Sequence, residues 1–202
     1  MSTVATSEAG LVSAYNAPEK LAWLGAAVRQ RLAATEGVHR LPTDQADIYE
    51  VPGFLTKRDC RDLISLINAT AVPSTLYKGT EKPGFRTSWT CHFDTAEPLA
   101  ESLEEYICEL LGIHNVYAET MQGQRYRKGQ QYKAHYDFFH VGESYWQNEG
   151  PRGGQRTWTA MIYLNEPPEG GETWFPHLDL TFTPKAGTLL TWNNMDQSGL
   201  PN

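Results

Sequence analysis

Hydrophobic residues in the first half of the chain recur every three or four positions, which is the period of an amphipathic helix. This spacing predicts helices close to Pro18–Ala34, after Thr56, and close to Pro98–Leu111. Thr56 and Asp59 have the spacing of a capping box, and Gly112 suits the end of the third helix. The side chains expected to face the core are those of Leu21, Leu24, Val28, Leu32, Leu63, Ile64, Ile67, Leu99, Leu103, Tyr106, Ile107, Leu110 and Leu111.

The second half of the chain, from Val116 onward, alternates short runs of strand-favouring residues with glycine turns. The predicted strands are the earlier segment Ile48–Val51 and then 117–126, 132–137, 157–164, 173–175, 180–183 and 188–192. Helices followed by strands predict an α+β domain with an antiparallel jelly-roll core. We expect a flexible N-terminus over residues 1–17, a helical support region with early strands over 18–115, and the core over 116–202.

The composition is that of a globular protein, with 40% hydrophobic and 20% charged residues in a chain of 202. A net charge of −7 argues against a nucleic-acid partner, because phosphate binding needs clustered Lys and Arg. Cys60, Cys91 and Cys108 are too few and too widely spaced for a disulfide framework, so free thiols in a reducing compartment are expected. Since no long apolar run and no signal-like pattern at Met1–Gly10 is present, we expect a cytoplasmic protein without a membrane partner.

The strongest chemical signal is a histidine and an aspartate two positions apart, His135 and Asp137. On a β-strand, such residues project from the same face, whereas Tyr136 between them would face away. One imidazole and one carboxylate are two of the three ligands of the triad that holds non-haem Fe(II), although these ligand types also accept Zn or Mn. The predicted loop 138–152 follows directly, either as a lid over this site or as a solvent-exposed insertion.

Several further motifs accompany the His-x-Asp pair in a specific order. They are Val51-Pro52-Gly53-Phe54-Leu55-Thr56, Arg86-Thr87-Ser88, Gln124-Arg125-Tyr126, Lys128-Gly129-Gln130, Gly153-Gly154-Gln155-Arg156-Thr157, Ile162-Tyr163-Leu164-Asn165, Gly170-Gly171-Glu172-Thr173-Trp174-Phe175-Pro176 and Pro184-Lys185-Ala186-Gly187. From about residue 48 to residue 202, this series resembles the prolyl 4-hydroxylase group of 2-oxoglutarate- and Fe(II)-dependent dioxygenases. The resemblance implies a double-stranded β-helix, which is a jelly roll with the site in the mouth of its barrel.

The resemblance also implies roles for individual residues and cofactors. His135 and Asp137 match the first two metal ligands. The positions that match contacts to the co-substrate 2-oxoglutarate are Tyr126, Thr159 and Tyr163, and those that match the substrate side are Arg156, Arg86 and Trp174. The implied cofactors are Fe(II) and 2-oxoglutarate, with ascorbate as a further candidate, and the implied reaction uses O2 to hydroxylate a C–H bond. We expect the substrate to be a prolyl residue in a peptide or protein.

Independent of the resemblance, Thr159, Met161 and Tyr163 share one face of a predicted strand. A hydroxyl and a phenol on that face can donate to a carboxylate inside an otherwise apolar cavity. Read alone, Tyr163 is favoured as a core aromatic whose hydroxyl is satisfied by the backbone, and Thr159 as an ordinary β-branched strand residue.

Members of this family carry a distal histidine as third ligand, followed by a basic residue that pairs with 2-oxoglutarate. We expect both, and the last two core strands, beyond Asn202, so the chain would be part of a longer protein. The alternatives are that His177 or His140 substitutes as ligand, or that the chain is a metal-poor remnant that binds without catalysing. With two ligands, the 202-residue chain is expected to bind Fe(II) weakly and turn over slowly. The rival functions are hydroxylation of a free amino acid or other small molecule, a non-catalytic jelly-roll binding module, and a cupin-like enzyme that uses Zn or Mn.

Overall fold

The computed structural model describes residues 16–80, 82–93 and 97–202, so most of the segment 1–17 lies outside the described residues, together with Met1–Gly10. The α-helices are α1 Pro18–Ala34, α2 Lys57–Thr70, α3 Pro98–Leu111 and α4 Trp146–Gly153. The strands are β1 His39–Arg40, β2 Ile48–Val51, β3 Val72–Pro73, β4 Trp89–His92, β5 Gln122–Arg125, β6 Trp158–Ile162, β7 Thr173–Phe175, β8 Leu180–Phe182 and β9 Leu189–Asn193. No helix among the described ranges is long and apolar enough to cross a bilayer.

The three helices predicted from hydrophobic spacing are confirmed. α2 begins at a capping box in which the backbone amides of Thr56 and Asp59 donate to each other's side chains, both at 3.2 Å. α3 ends at Gly112, whose φ of 67° is left-handed and therefore favours glycine. The prediction that Tyr106 faces the core is wrong, because the residue is 62% exposed, with its ring 5.5 Å from that of Phe54.

The largest sheet is antiparallel in the order β1-β2-β9-β6 and separates two layers. One face carries Tyr49 and Trp158, which pack against Val28 and Leu32 of α1. On the other face, Ile48, Leu190 and Met161 pack with Tyr163 and Phe182. Since β2 pairs with β9 along its whole length, a strand of the early region is part of the core sheet.

Two smaller antiparallel sheets complete the fold, one in the order β3-β4-β5 and the other a hairpin of β7 and β8. The antiparallel pairing expected from the sequence is therefore confirmed. β1, β3 and β4 were missed by the sequence pattern, and β1 and β3 have only two residues each. Cys60, Cys91 and Cys108 are free thiols, as predicted.

Three predictions for the second half of the chain need correction. The predicted strand 117–126 shrinks to β5, because Asn115–Tyr117 forms a short 3-10 helix. The predicted strand 132–137 forms only one isolated bridge, between Tyr132 and Arg86, because no neighbouring strand in the described chain pairs with it. The predicted loop 138–152 contains most of α4, in which Trp146 is buried against Phe139.

Candidate active site

The side chains of His135 and Asp137 converge, with Nε2 of the imidazole 3.4 Å from Oδ1 of the carboxylate. Both side chains are 28% exposed. Tyr136, between them, is half exposed and contacts His177. The expected convergence is therefore present, although the segment is extended without being part of a sheet.

His135 is held in one orientation from two sides. Its Nδ1 lies 2.7 Å from the carbonyl oxygen of Lys133, which can only accept, so Nδ1 carries the proton of the neutral ring. Its ring stacks on Tyr132 with centroids 3.8 Å apart. These contacts leave Nε2 directed towards Asp137, which is the arrangement of a metal-binding histidine.

The two groups shift each other's pKa values in opposite directions. Burial lowers the pKa of His135, but hydrogen bonds to Asp137 and to the Lys133 carbonyl outweigh burial and raise it above its ordinary value. Burial raises the pKa of Asp137, yet its contacts with His135 and Thr159 bring it below the ordinary value. A divalent cation can take the place of the proton between such a pair, because metal ligands bind in their deprotonated forms.

Thr159 approaches the same carboxylate from β6. Its hydroxyl donates to Asp137 Oδ2 at 2.9 Å and accepts from Nδ2 of Asn194 at 3.0 Å. Asn194 is 3% exposed and was not identified from the sequence, where no motif distinguishes it. Because a hydroxyl has only one proton, and Thr159 donates it to Asp137, the hydroxyl cannot donate to another group in this arrangement.

The two tyrosines predicted to contact 2-oxoglutarate lie on different elements. Tyr126 follows β5, and its hydroxyl donates to Oε1 of Gln124 at 2.8 Å. Tyr163 follows β6, and its hydroxyl pairs with Oγ1 of Thr173 at 2.5 Å. Burial raises the pKa of both phenols, so both remain protonated donors at neutral pH.

Arg86 lies on the side of the β3-β4-β5 sheet that carries Tyr126. Its guanidinium contacts the hydroxyls of Ser88 at 3.4 Å and Thr90 at 3.1 Å, and it stacks over the ring of Tyr132 at 4.8 Å. Tyr132 in turn stacks on His135, so the ring of Tyr132 connects Arg86 with the candidate metal ligand.

Arg156 makes a bidentate ion pair with Glu119, with nitrogen–oxygen distances of 2.5 and 2.6 Å. Its guanidinium lies 4.3 Å from the centre of the Phe139 ring. Burial lowers the pKa of Arg156, but Glu119 outweighs burial and raises it, so the cation is permanent. Glu119 was missed by sequence reasoning, because 37 residues separate it from its partner. Trp174 is 58% exposed on β7, and its substrate role stays a prediction.

The two histidines considered as substitute ligands lie elsewhere. Nε2 of His177 is 3.4 Å from the hydroxyl of Tyr136, and the ring of His140 contacts Phe138 at 4.7 Å. His177 therefore contacts Tyr136, and His140 contacts Phe138, which are the two sequence neighbours of Asp137. Within residues 16–80, 82–93 and 97–202, no three or more His, Cys, Asp or Glu side chains are grouped so that they could hold a metal.

Comparison with known proteins shows which class of protein this arrangement resembles. Residues 121–199 match the 2OG-Fe(II) oxygenase superfamily, and this match includes His135, Asp137 and Thr159. This part of the chain is therefore similar to a 2OG-Fe(II) oxygenase domain.

Within that class, the similar proteins are prolyl hydroxylases. A putative prolyl 4-hydroxylase of Acanthamoeba polyphaga mimivirus is 31% identical over 133 residues, which are 66% of this chain and 54% of the viral protein. Probable prolyl 4-hydroxylase 3 of Arabidopsis thaliana is 33% identical over 135 residues, 64% of this chain and 45% of the plant protein. The chain thus spans about half the length of these curated relatives.

A solved structure that resembles this chain is also that of a prolyl hydroxylase. The viral collagen prolyl hydroxylase of Paramecium Bursaria Chlorella virus-1, in its complex with 2OG, matches with a TM-score of 0.54 and 27% identity. The match covers 76% of this chain and 84% of that chain. The mixed α/β fold with antiparallel sheets is therefore shared with a prolyl hydroxylase.

Proposed function

We propose that this chain is the catalytic part of a 2-oxoglutarate- and Fe(II)-dependent oxygenase that hydroxylates a prolyl residue in a peptide or protein. The observation that carries the proposal is the 3.4 Å approach of His135 Nε2 to Asp137 Oδ1 inside the segment that matches the oxygenase superfamily. The prolyl substrate is supported by the identity of the relatives. The corresponding core would be a double-stranded β-helix formed mainly by 116–202, to which the support region 18–115 contributes β2.

His135 and Asp137 are suited to supply two of the ligands of a divalent metal. His135 would offer the free electron pair of Nε2, since its other nitrogen is committed to the Lys133 carbonyl. Asp137 would offer Oδ1, since Thr159 holds Oδ2. When bound, Fe(II) with 2-oxoglutarate supplies the oxidation, in which O2 is consumed, 2-oxoglutarate becomes succinate and carbon dioxide, and a C–H bond gains a hydroxyl.

The remaining site residues would bind and orient. Tyr126 and Tyr163 stay protonated, and on exchanging their present partners Gln124 and Thr173 they would donate to the carboxylate oxygens of 2-oxoglutarate, which can only accept. Arg156 and Arg86 provide cations with several fixed donors on the substrate side, where their planar groups can bind peptide carbonyls. Trp174 and the segment 138–152 would border the entrance.

Metal binding tests this proposal on the chain as it stands. Mn(II) titrated into the protein and followed by electron paramagnetic resonance should show weak, saturable binding that His135→Ala and Asp137→Ala each abolish. Under anaerobic conditions, Fe(II) with 2-oxoglutarate should add a visible charge-transfer band that Zn(II) cannot produce. Metal affinity that is indifferent to both substitutions would overturn the assignment.

Mass spectrometry of proline-containing peptides then tests the substrate. A gain of one oxygen on a prolyl residue is expected, and its loss in His135→Ala would tie it to the site. Oxygen gain only on a free amino acid or other small molecule would favour the first rival function. Unchanged peptide binding in His135→Ala, with no oxidation by either protein, would favour a non-catalytic binding module.

A further inference from the structure

Gln155, in the glycine-rich motif before β6, makes a set of hydrogen bonds to which the proposed function assigns no role. Its Oε1 accepts from the backbone amide of Phe139 at 2.6 Å and from that of Arg156 at 3.0 Å. Its Nε2 donates to the carbonyl oxygen of Phe139 at 2.9 Å and to Oδ1 of Asn16 at 3.1 Å. The side chain is 8% exposed, and all of its donors are used.

The contacts with Phe139 reproduce those that a neighbouring strand would make. One side-chain amide satisfies both the N–H and the C=O of a single residue, as a paired residue does in an antiparallel ladder. Phe139 is 4% exposed, so its backbone groups would otherwise be buried without partners. The segment around it belongs to no strand, and therefore a side chain performs the pairing.

We call this pairing of the Gln155 side-chain amide with the backbone of Phe139 the clamp. The position of Phe139 makes the clamp relevant to the site. Phe139 is two residues beyond Asp137, and its ring supports the guanidinium of Arg156. The ring also contacts Tyr145 and Trp146 at the start of α4. Phe139 therefore connects the segment that carries Asp137 with the start of α4 and with the predicted substrate residue Arg156.

Outside the clamp, the ligand segment downstream of His135 is restrained by the packed ring of Phe139 and by the amide of His140, which donates to the Tyr145 hydroxyl at 3.1 Å. Residues 132–137 form one isolated bridge at Tyr132, and Thr159 holds only the carboxylate of Asp137. Without the clamp at residue 139, the backbone that carries Asp137 would be held less firmly relative to β6. Ligands displaced by about an ångström lose much of their affinity, because metal sites depend on supporting contacts.

We propose that Gln155 is a positioning residue, whose side-chain amide pairs with the backbone of Phe139 and thereby holds Asp137 in register with Thr159 of β6. Its metal-binding consequence rests on the proposed function, whereas the clamp itself does not. A merely space-filling role for Gln155 predicts a uniform loss of stability instead of a local loosening.

Amide exchange followed by NMR in the metal-free protein tests the clamp directly. Gln155→Met keeps the volume but removes both polar atoms, so the Phe139 amide should exchange about tenfold faster or more, while amides of β2 and β9 keep their protection. Asn16→Ala removes only the remaining contact of Nε2 and should leave Phe139 protected. Gln155→Glu keeps the acceptor for the Phe139 amide but loses the donor to the Phe139 carbonyl, so its protection at Phe139 should lie between that of the wild type and that of Gln155→Met. If Gln155→Met does not fold, faster exchange at Phe139 in Gln155→Glu than in the wild type supports the clamp, and unchanged exchange refutes it.

A stability control separates local from global effects. Asp47→Asn weakens the buried contact with Arg29, at 2.9 Å and remote from residue 139, and serves as a variant with lowered overall stability. Mn(II) affinity should fall about tenfold in Gln155→Met and stay unchanged in Asp47→Asn. If the wild type binds no metal, the proposed function fails, but exchange at Phe139 still decides the clamp. Unchanged exchange at Phe139 in Gln155→Met, or equal acceleration throughout the core, would refute the proposal.

Discussion

The hydroxyl of Thr159 offers a sharp test of how the candidate ligand Asp137 is oriented. Thr159→Val keeps the shape of the side chain but removes the hydroxyl that donates to Asp137 Oδ2 and accepts from Asn194 Nδ2. The substitution therefore removes one hydrogen bond to a charged group and leaves a nearly buried amide donor without its acceptor.

The size of the effect follows from these two losses. A hydrogen bond to a charged partner contributes about 1.5–3 kcal/mol, and an unsatisfied buried donor costs a similar amount when nothing replaces its partner. Since Asp137 is partly exposed and water can reach it, we expect about 2–3 kcal/mol of lost stability for Thr159→Val. For a chain of this length, that corresponds to a fall in melting temperature of roughly 5–10 °C.

Calorimetry and Mn(II) titration together check this prediction. Thr159→Ser is the matched control, because it keeps the hydroxyl and loses only a methyl group, so its metal affinity should remain near that of the wild type. Thr159→Val should weaken Mn(II) binding about tenfold, since the carboxylate loses its orientation. Equal Mn(II) affinity in the two variants would refute the view that the hydroxyl orients Asp137.

The remaining predictions concern pH, the rival ligand and the substrate side. The hydrogen bonds from the Ser198 hydroxyl and backbone hold the pKa of Asp196 below its usual value, so its contribution is present above about pH 4 and lost as pH falls further. Thermal unfolding of Asp196→Asn should therefore show lower stability than the wild type at pH 7, and the difference should shrink as the pH falls through the lowered pKa of Asp196. His177→Ala should leave Mn(II) affinity unchanged, and a loss as large as that of His135→Ala would restore His177 as a ligand. Arg156→Lys cannot reproduce the bidentate pairing with Glu119, so peptide KM should rise while the Mn(II) affinity is retained, and an unchanged peptide KM would remove Arg156 from the substrate side.

The sequence predicted the helices accurately because their signals are local. A capping box acts across three residues, and a hydrophobic stripe acts across one helical turn. The bounds of Pro18–Ala34 and Pro98–Leu111 follow from such signals. Tyr106 shows their limit, because a helical position can continue a hydrophobic stripe and still lie at the edge of the core.

Strand predictions were less accurate because a strand needs a partner. The segment 132–137 has the composition and alternation of a strand, but only Tyr132 finds a bridge among the described residues. His135 and Asp137 nevertheless converge, because residues i and i+2 face the same side of any extended backbone. This part of the candidate site therefore survives the error in the strand.

The sequence by itself determined the helical layer, the antiparallel character of the sheets and the side-by-side placement of one imidazole and one carboxylate. Only the tertiary structure decided which side chains orient that pair: Thr159 with Asn194 on one side, and Gln155 through Phe139 on the other. These contacts join residues that are 16 to 35 positions apart. Their formation depends on strand register and on the path of an unpaired segment, neither of which is encoded in the spacing of neighbouring residues.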